Sequence, residues 1–359
     1  MEKEGTQQTL LEIQDLRVNF TTYAGKVQVL NGVDLKLREG EIFGLVGESG
    51  CGKSVTALTI AGLLPENSQI VSGEIMFAGD DLLKKSSNQM REIRAMRVAM
   101  IFQDPMTFLN PVLSIGTQLT ESIDVRYGKQ ISQGWRPPEI GEALGATSPS
   151  KRVGRREKKR ILYHMGIQAL KKVRLPDPER MMKSFPHELS GGMRQRVMIA
   201  IALARNPDLL IADEITTALD VTIQAQILEL LRILRGELKS TIVVITHDLG
   251  VVAEVCDRIG VMYAGDVVEV ATVEDLFAKP MHPYTQGLLH AIPIVTGGNE
   301  RLESVKGTVP DLIHPPPACR FNPRCPHAWD LCTQKKPELL AQFPGHFVAC
   351  HLYTKEKGS

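Results

Sequence analysis

Short apolar runs bounded by turn-forming residues recur along the chain. EIFGLVG (Glu41–Gly47), RVAMIFQD (Arg97–Asp104), DLLIADE (Asp208–Glu214) and TIVVITHD (Thr241–Asp248) are rich in aliphatic and β-branched residues. Their length and borders predict buried strands. Helical periodicity fills the spaces between them, in SVTALTIAGLL after Lys53 and in VTIQAQILELLRILRGELK after Asp220. Strands alternating with amphipathic helices predict an α/β domain around a mainly parallel sheet. Nearer the start, LEIQDLRVNF, VQVLNGVDLKL and GEIMFAG alternate with period two and predict an antiparallel β-layer beside that sheet.

The pattern changes between residues 111 and 190, where helical periodicity is interrupted by the polar stretch from Gly128 to Arg160. Seven of the ten residues from Lys151 to Arg160 are Lys or Arg. This run is expected to be a solvated flexible loop, the alternative being a docking site for acidic headgroups or a partner. From Gly297 onward, Pro-rich text predicts a linker and a small, loop-rich terminal module.

Composition narrows the class. With 43% apolar residues the chain can build a core, so disorder throughout is excluded. A balance of 42 basic against 41 acidic residues gives no long-range positive field, and no nucleic-acid partner is expected. No run approaches the roughly 18 apolar residues of a membrane span, and MEKEGTQQTL lacks the character of a secretory signal. A cytosolic protein without a pore of its own is expected. Four of the six cysteines, Cys319, Cys325, Cys332 and Cys350, crowd the end of the chain.

The strongest chemical signal is GESGCGKS, Gly47 to Ser54, which matches G-x-x-x-x-G-K-[ST] between a predicted strand and a predicted helix. Gly47, Ser49, Gly50, Cys51, Gly52, Lys53, Ser54 and Val55 form the candidate phosphate cradle, where backbone N–H groups and a helix N-terminus meet phosphate oxygens. Lys53 would reach the β- and γ-phosphates, and the Ser54 hydroxyl would ligate Mg²⁺. At the end of DLLIADE, Asp213 fits a Mg²⁺ carboxylate and Glu214 a general base for an attacking water.

Beside these, LSGGMRQR (Leu189–Arg196) resembles the signature motif of ATP-binding-cassette (ABC) ATPases. Gln103 in IFQDP, Asp220 in TALD and His247 in ITHDLG match the family's Q-loop, D-loop and switch histidine, in the family's order. The resemblance implies an ABC-type nucleotide-binding domain over about residues 10–275. Its parts are a RecA-like phosphate-loop core, an antiparallel β-layer and a helical subdomain near 111–195. It implies ATP bound at a cassette dimer interface, with Ser190, Gly191 and Gly192 serving the opposite subunit's nucleotide. Gln103 would contact both Mg²⁺ and the lytic water, and His247 the γ-phosphate. Phe20, with Tyr23 as the alternative, is the candidate to stack on adenine. One departure is Ile215, where the family usually has Pro, which predicts a less constrained turn behind Glu214.

The runs KPMHPYTQGLLHAIP, PPPACRFNPRCPHAWDLC and HFVACH resemble the C-terminal region of dipeptide and oligopeptide importer ATPases. The resemblance assigns 276–359 to a Cys-rich C-terminal region and implies a [4Fe–4S] cluster on Cys319, Cys325, Cys332 and Cys350. The C-x5-C-x6-C-x17-C spacing alone leaves zinc or free thiols open, with His327, His346 and His351 nearby as substitutes. The implied assembly has a second ABC ATPase subunit (a heterodimer), two transmembrane permease subunits and an extracytoplasmic peptide-binding protein. It places this chain peripherally on the cytoplasmic face of the membrane. Alternatives are a regulatory or hydrolysis-impaired cassette, an importer of another solute such as nickel, and a soluble non-transport ABC ATPase.

Overall fold

The N-terminal alternation becomes paired strands, because each second residue faces a core and the intervening ones face solvent. A computed structural model describes residues 8–102, 108–137, 152–215, 220–238, 240–291 and 305–354. The early strands are β1 (Thr9–Thr22), β2 (Gly25–Arg38), β3 (Ile42–Val46), β4 (Ser68–Phe77) and β5 (Asp80–Asp81). The middle ones are β6 (Val98–Ile101), β7 (Leu209–Asp213) and β8 (Thr241–Thr246). They are followed by β9 (Arg258–Tyr263), β10 (Asp266–Thr272), β11 (Leu340–Phe343) and β12 (His346–Val348). Two units divide the chain, Met1–Ser86 with Thr241–Ser359, and Ser87–Ser240.

In the first unit, β2-β1-β4-β5 form an antiparallel sheet in which Leu16 opposes Val33 and Val18 opposes Leu30, all buried. The same unit holds the strand order β11-β12-β10-β9-β3-β8. Strand β3 runs parallel to β8 and β9, and all five of its residues are buried, as a strand covered on both faces requires. At the start of β3, Glu41 and Arg258 form a buried ion pair at 3.2 Å. Glu41 also accepts the Arg38 N–H at 2.7 Å.

The loop-rich text after Gly297 predicts no strands, yet β12 pairs antiparallel with β10 and β11 with β12. A buried carboxylate fixes this pairing. Glu269 of β10 accepts the Met281 and His282 N–H groups at 2.8 and 2.9 Å and faces His346 Nε2 at 2.7 Å. Strands β11 and β12 are three or four residues long and draw their stability from such tertiary partners, so period alone does not announce them.

In the second unit, β6 and β7 pair in parallel from Val98 opposite Leu209 to Ile101 opposite Ala212. The helices Ile115–Ser132, Arg155–Lys172 and Gly191–Leu203 accompany them. Close approach is built into two glycines: a Cβ at Gly116 would lie 2.4 Å from the Met182 carbonyl oxygen, and one at Gly166 2.7 Å from Met182 Cε. Here the expectation for the basic run is corrected. Residues 155–160 are the first turns of the helix Arg155–Lys172, and 128–132 are the last turn of Ile115–Ser132. Ile161, Leu162, Ile167 and Leu170 bury one face of that helix, and the periodicity carries the basic residues with it. Lys158–Asp124 at 2.6 Å and Arg136–Glu157 at 2.6 Å tie the helix to neighbouring segments.

Candidate functional site

The phosphate loop leaves β3 at Gly47, whose φ of 156° and tight surroundings admit no side chain; a Cβ there would lie 2.1 Å from the Met262 carbonyl oxygen. Gly52, at φ 107°, opens the helix Lys53–Ala61 without any side-chain cap, and the first turn carries no acidic residue. That helix end therefore keeps its partial positive charge for an anion. Lys53 is buried and its Nζ donates to the carbonyls of Gly47 at 2.7 Å and Glu48 at 3.1 Å. Ser49, Gly50 and Ser54 are exposed, and Val55 is half-buried.

Cys51 is buried beside Lys53, with Nζ to Sγ at 3.7 Å, and burial pushes its thiol up, so it stays protonated. Its backbone serves the loop: the N–H donates to the Glu48 carbonyl at 3.3 Å and the carbonyl accepts from Gly265 at 2.8 Å. Glu48 is held from a part of the chain that sequence reading did not connect with it. Its N–H donates to Tyr284 Oη at 2.9 Å, and its carboxylate receives Arg324 Nη1 at 2.9 Å. Separations of 236 and 276 residues leave no local signal for these contacts.

His247 follows β8 directly and is exposed; Asp248 then caps the helix Leu249–Val255 by accepting the Gly250 N–H at 2.8 Å. Phe20 sits half-buried in β1 between Val27 of β2 and Ser68 of β4. Tyr23, in the turn after β1, is fully exposed.

In the second unit, Asp213 ends β7 and is buried. Glu214 is half-buried with φ 47°, in the left-handed region. Such a backbone stores strain of about 1–3 kcal/mol and persists only where the surroundings hold it. Ile215, at the position where the family usually has Pro, is 3% exposed. Ser190 is the N-cap of the helix Gly191–Leu203, its Oγ accepting the Met193 N–H at 3.3 Å. Gly191 has open space around it, whereas a Cβ at Gly192 would lie 2.9 Å from Ile223 Cγ2. Asp220 is exposed before the helix Val221–Leu238, its carbonyl accepting from Gln224 at 2.9 Å. Gln103 lies outside the described residues.

The four C-terminal cysteines lie in one another's electrostatic field. Burial first, then the thiols of Cys332, Cys350 and Cys325, push Cys319 up to about 12. Burial with Cys325 and Cys332 pushes Cys350 up to about 11. Cys319 N–H donates to the Cys332 carbonyl at 3.1 Å. Yet among the described residues no group of three or more His, Cys, Asp or Glu is arranged to hold a metal ion, so the expected iron–sulfur or zinc site is not present as a formed ligand set. Of the substitute histidines, His346 is engaged by Glu269, His351 Nε2 lies 2.8 Å from the Lys335 carbonyl, and His327 is exposed.

Residues 30–217 match the family described as "ABC transporter", and 268–332 match "Oligopeptide/dipeptide transporter, C-terminal region". The dipeptide transport ATP-binding protein DppD of Bacillus subtilis (strain 168) is 46% identical over 344 residues, 96% of this chain and 94% of that protein. A probable peptide ABC transporter ATP-binding protein of Sinorhizobium fredii, y4tR, is 47% identical over 343 residues, 95% of this chain and 94% of that one. Among solved structures, a dimeric structure of MJ0796, a bacterial ABC transporter cassette, has a TM-score of 0.58 at 25% identity, covering 73% of this chain and 98% of that one. A post-hydrolysis dimer of the same cassette bound to ADP and Pi has a TM-score of 0.57 over the same shares of the two chains, also at 25% identity. The chain belongs to the ABC transporter family and has its α/β nucleotide-binding cassette fold.

Proposed function

We propose that the chain is the ATP-hydrolysing subunit of a membrane importer of di- or oligopeptides. The observation that carries this is one chain holding both a phosphate loop closed on Lys53 and a C-terminal region of the peptide-transporter type. Lys53 exchanges the Gly47 and Glu48 carbonyls for β- and γ-phosphate oxygens. Backbone N–H groups from Gly50 to Val55 and the uncapped helix end receive the phosphate charge. Phe20 stacks on the adenine. Ser54, Asp213 and Gln103 are the residues that would hold Mg²⁺, which would supply charge neutralisation of the phosphates. Glu214 takes a proton from the attacking water, and His247 donates to the γ-phosphate.

Support for a cassette dimer comes from the dimeric relatives, and Ser190, Gly191, Gly192 and Asp220 are the residues proposed to serve it. A heterodimer with a second ATPase, bound to two permease subunits and served by a peptide-binding protein, is the finer reading. No helix among the described residues is long and apolar enough to cross a membrane, so attachment to the cytoplasmic face would be through those permeases. The boundary near residue 275, with a helical subdomain near 111–195, is retained as a proposal. So is a [4Fe–4S] cluster on Cys319, Cys325, Cys332 and Cys350. Its donor chemistry fits, but the thiols must rearrange and lose their protons to ligate. Iron and acid-labile sulfide measured on anaerobically purified protein test it; stoichiometric zinc without iron refutes it.

Phosphate release from the assembled complex tests the main reading. Glu214→Gln is expected to abolish turnover while nucleotide binding persists, and unchanged hydrolysis removes Glu214 as the base. Ile215 favours one second reading, an impaired cassette; a large rate gain in Ile215→Pro supports it.

A further inference from the structure

We propose that Arg324 is a positioning residue for the phosphate loop, through which the C-terminal cysteine region sets nucleotide affinity. This rests on the nucleotide-binding reading above and adds to it. Arg324 immediately precedes Cys325, and its side chain is only 6% exposed. Every nitrogen of its guanidinium is spoken for. Nη1 donates to Glu48 Oε2 at 2.9 Å and Tyr263 Oη at 3.3 Å, Nη2 to the Val305 carbonyl at 3.0 Å, and Nε to the Lys306 carbonyl at 2.9 Å. The fork thus joins three segments far apart in sequence, with its one charged partner inside GESGCGKS. A planar guanidinium with fixed donors transmits orientation in a way a lysine ammonium cannot.

Glu48 is gripped at three points. Arg324 holds its carboxylate, Tyr284 Oη accepts its N–H, and its carbonyl receives Lys53 Nζ and the Cys51 N–H. Tyr284 and Tyr263 are themselves packed against Phe321, with ring centroids 5.5 and 5.0 Å away, and Phe321 lies between Cys319 and Cys325 in sequence. A shift of the cysteine segment therefore moves both the guanidinium and the aromatic wall that fix Glu48. Glu48 in turn supplies one of the two carbonyls on which Lys53 rests. With the clamp in place the loop is ordered before nucleotide arrives; without it, nucleotide binding must supply the ordering.

Titration calorimetry of the full chain with MgADP, a ligand that is not turned over, tests this alongside the nucleotide-free melting temperature. Glu48→Gln and Arg324→Gln are each expected to weaken binding about five-fold, the order expected for restored freedom at one backbone residue. The double variant should be no weaker than the weaker single, because both remove one contact. Arg324→Lys should fall between parent and Arg324→Gln. Cys325→Ser should weaken binding in the parent and add nothing in Glu48→Gln. A purely structural role lowers the melting temperature and leaves affinity within two-fold of the parent. That result, additive losses, or an equal effect of Cys325→Ser in both backgrounds overturns the inference. Should Arg324→Gln not fold, Glu48→Gln tests the same contact from its other side. Failure of the parent to bind MgADP refutes the nucleotide-binding reading itself.

Discussion

Replacing Ile215 with Ala should damage turnover far more than nucleotide binding. Glu214 sits at φ 47°, a conformation that costs about 1–3 kcal/mol in a residue with a Cβ. Ile215, 3% exposed, is the adjacent anchor that opposes its relaxation. Ile→Ala in a buried site removes about 2–5 kcal/mol of packing, as much as the stored strain or more over most of that range. Freed of the anchor, Glu214 returns toward ordinary backbone and withdraws its carboxylate. If the full strain then biases the equilibrium, the competent fraction falls between about 5- and 140-fold, at 1.4 kcal/mol per decade. Steady-state phosphate release from the assembled complex should show kcat lowered by a factor in that range. MgADP affinity, read by calorimetry, should stay within two-fold, since the phosphate loop is untouched. Ile215→Val, which removes one methyl group, should lie close to the parent. A variant with a lowered melting temperature but an unchanged kcat would refute the idea that burial of Ile215 holds Glu214 in place.

Gly47→Ala should abolish MgADP binding in calorimetry, because the new Cβ would collide with the Met262 carbonyl at the root of the phosphate loop. Buried His282 is held neutral, its pKa lowered to about 4 chiefly by burial and only partly raised again by Glu269, while its Nδ1 accepts the Tyr284 N–H. The unfolded chain takes up a proton near pH 6.5 and the folded one only near 4, so stability present above pH 6.5 is lost as pH falls through that window. The loss is about 3 kcal/mol in full, and melting curves should show it in the parent but not in His282→Asn, whose side chain can cap the helix without titrating in that range. Arg258→Met should cost about 3–5 kcal/mol in urea unfolding by stranding the Glu41 carboxylate, whose pKa burial already raises; the double change Glu41→Gln with Arg258→Met should recover much of it.

Much of the cassette was legible because its signals are local. The apolar runs at Glu41, Arg97, Asp208 and Thr241 become β3, β6, β7 and β8 with one to three residues trimmed from most ends. After β7 and β8, the residue that directly follows the strand, Glu214 or His247, is one proposed for chemistry. The period-two segments became β1, β2 and β4 for the same reason. The basic run misled because charge density was read in place of the apolar stripe further along the same helix, at Ile161 and Ile167. The strands β11 and β12 were invisible because β12 exists against β10 and β11 against β12, and their anchor, Glu269, is a carboxylate that reads as a surface residue until His346 and two backbone N–H groups are placed on it. The Glu48–Arg324 contact belongs to the same class: two ordinary charged residues that only the fold makes partners.

The pairing of β12 on β10 also bears on how the chain is synthesised. Until residues 346–348 leave the ribosome, Glu269 and Val270 of β10 lack the strand that pairs with them, and both are buried in the finished fold. A nascent or truncated chain ending before residue 340 would present that open strand to other molecules, a recognised route to aggregation. The emergence of residues 340–348, more than the folding of the early strands, then decides when this strand is protected.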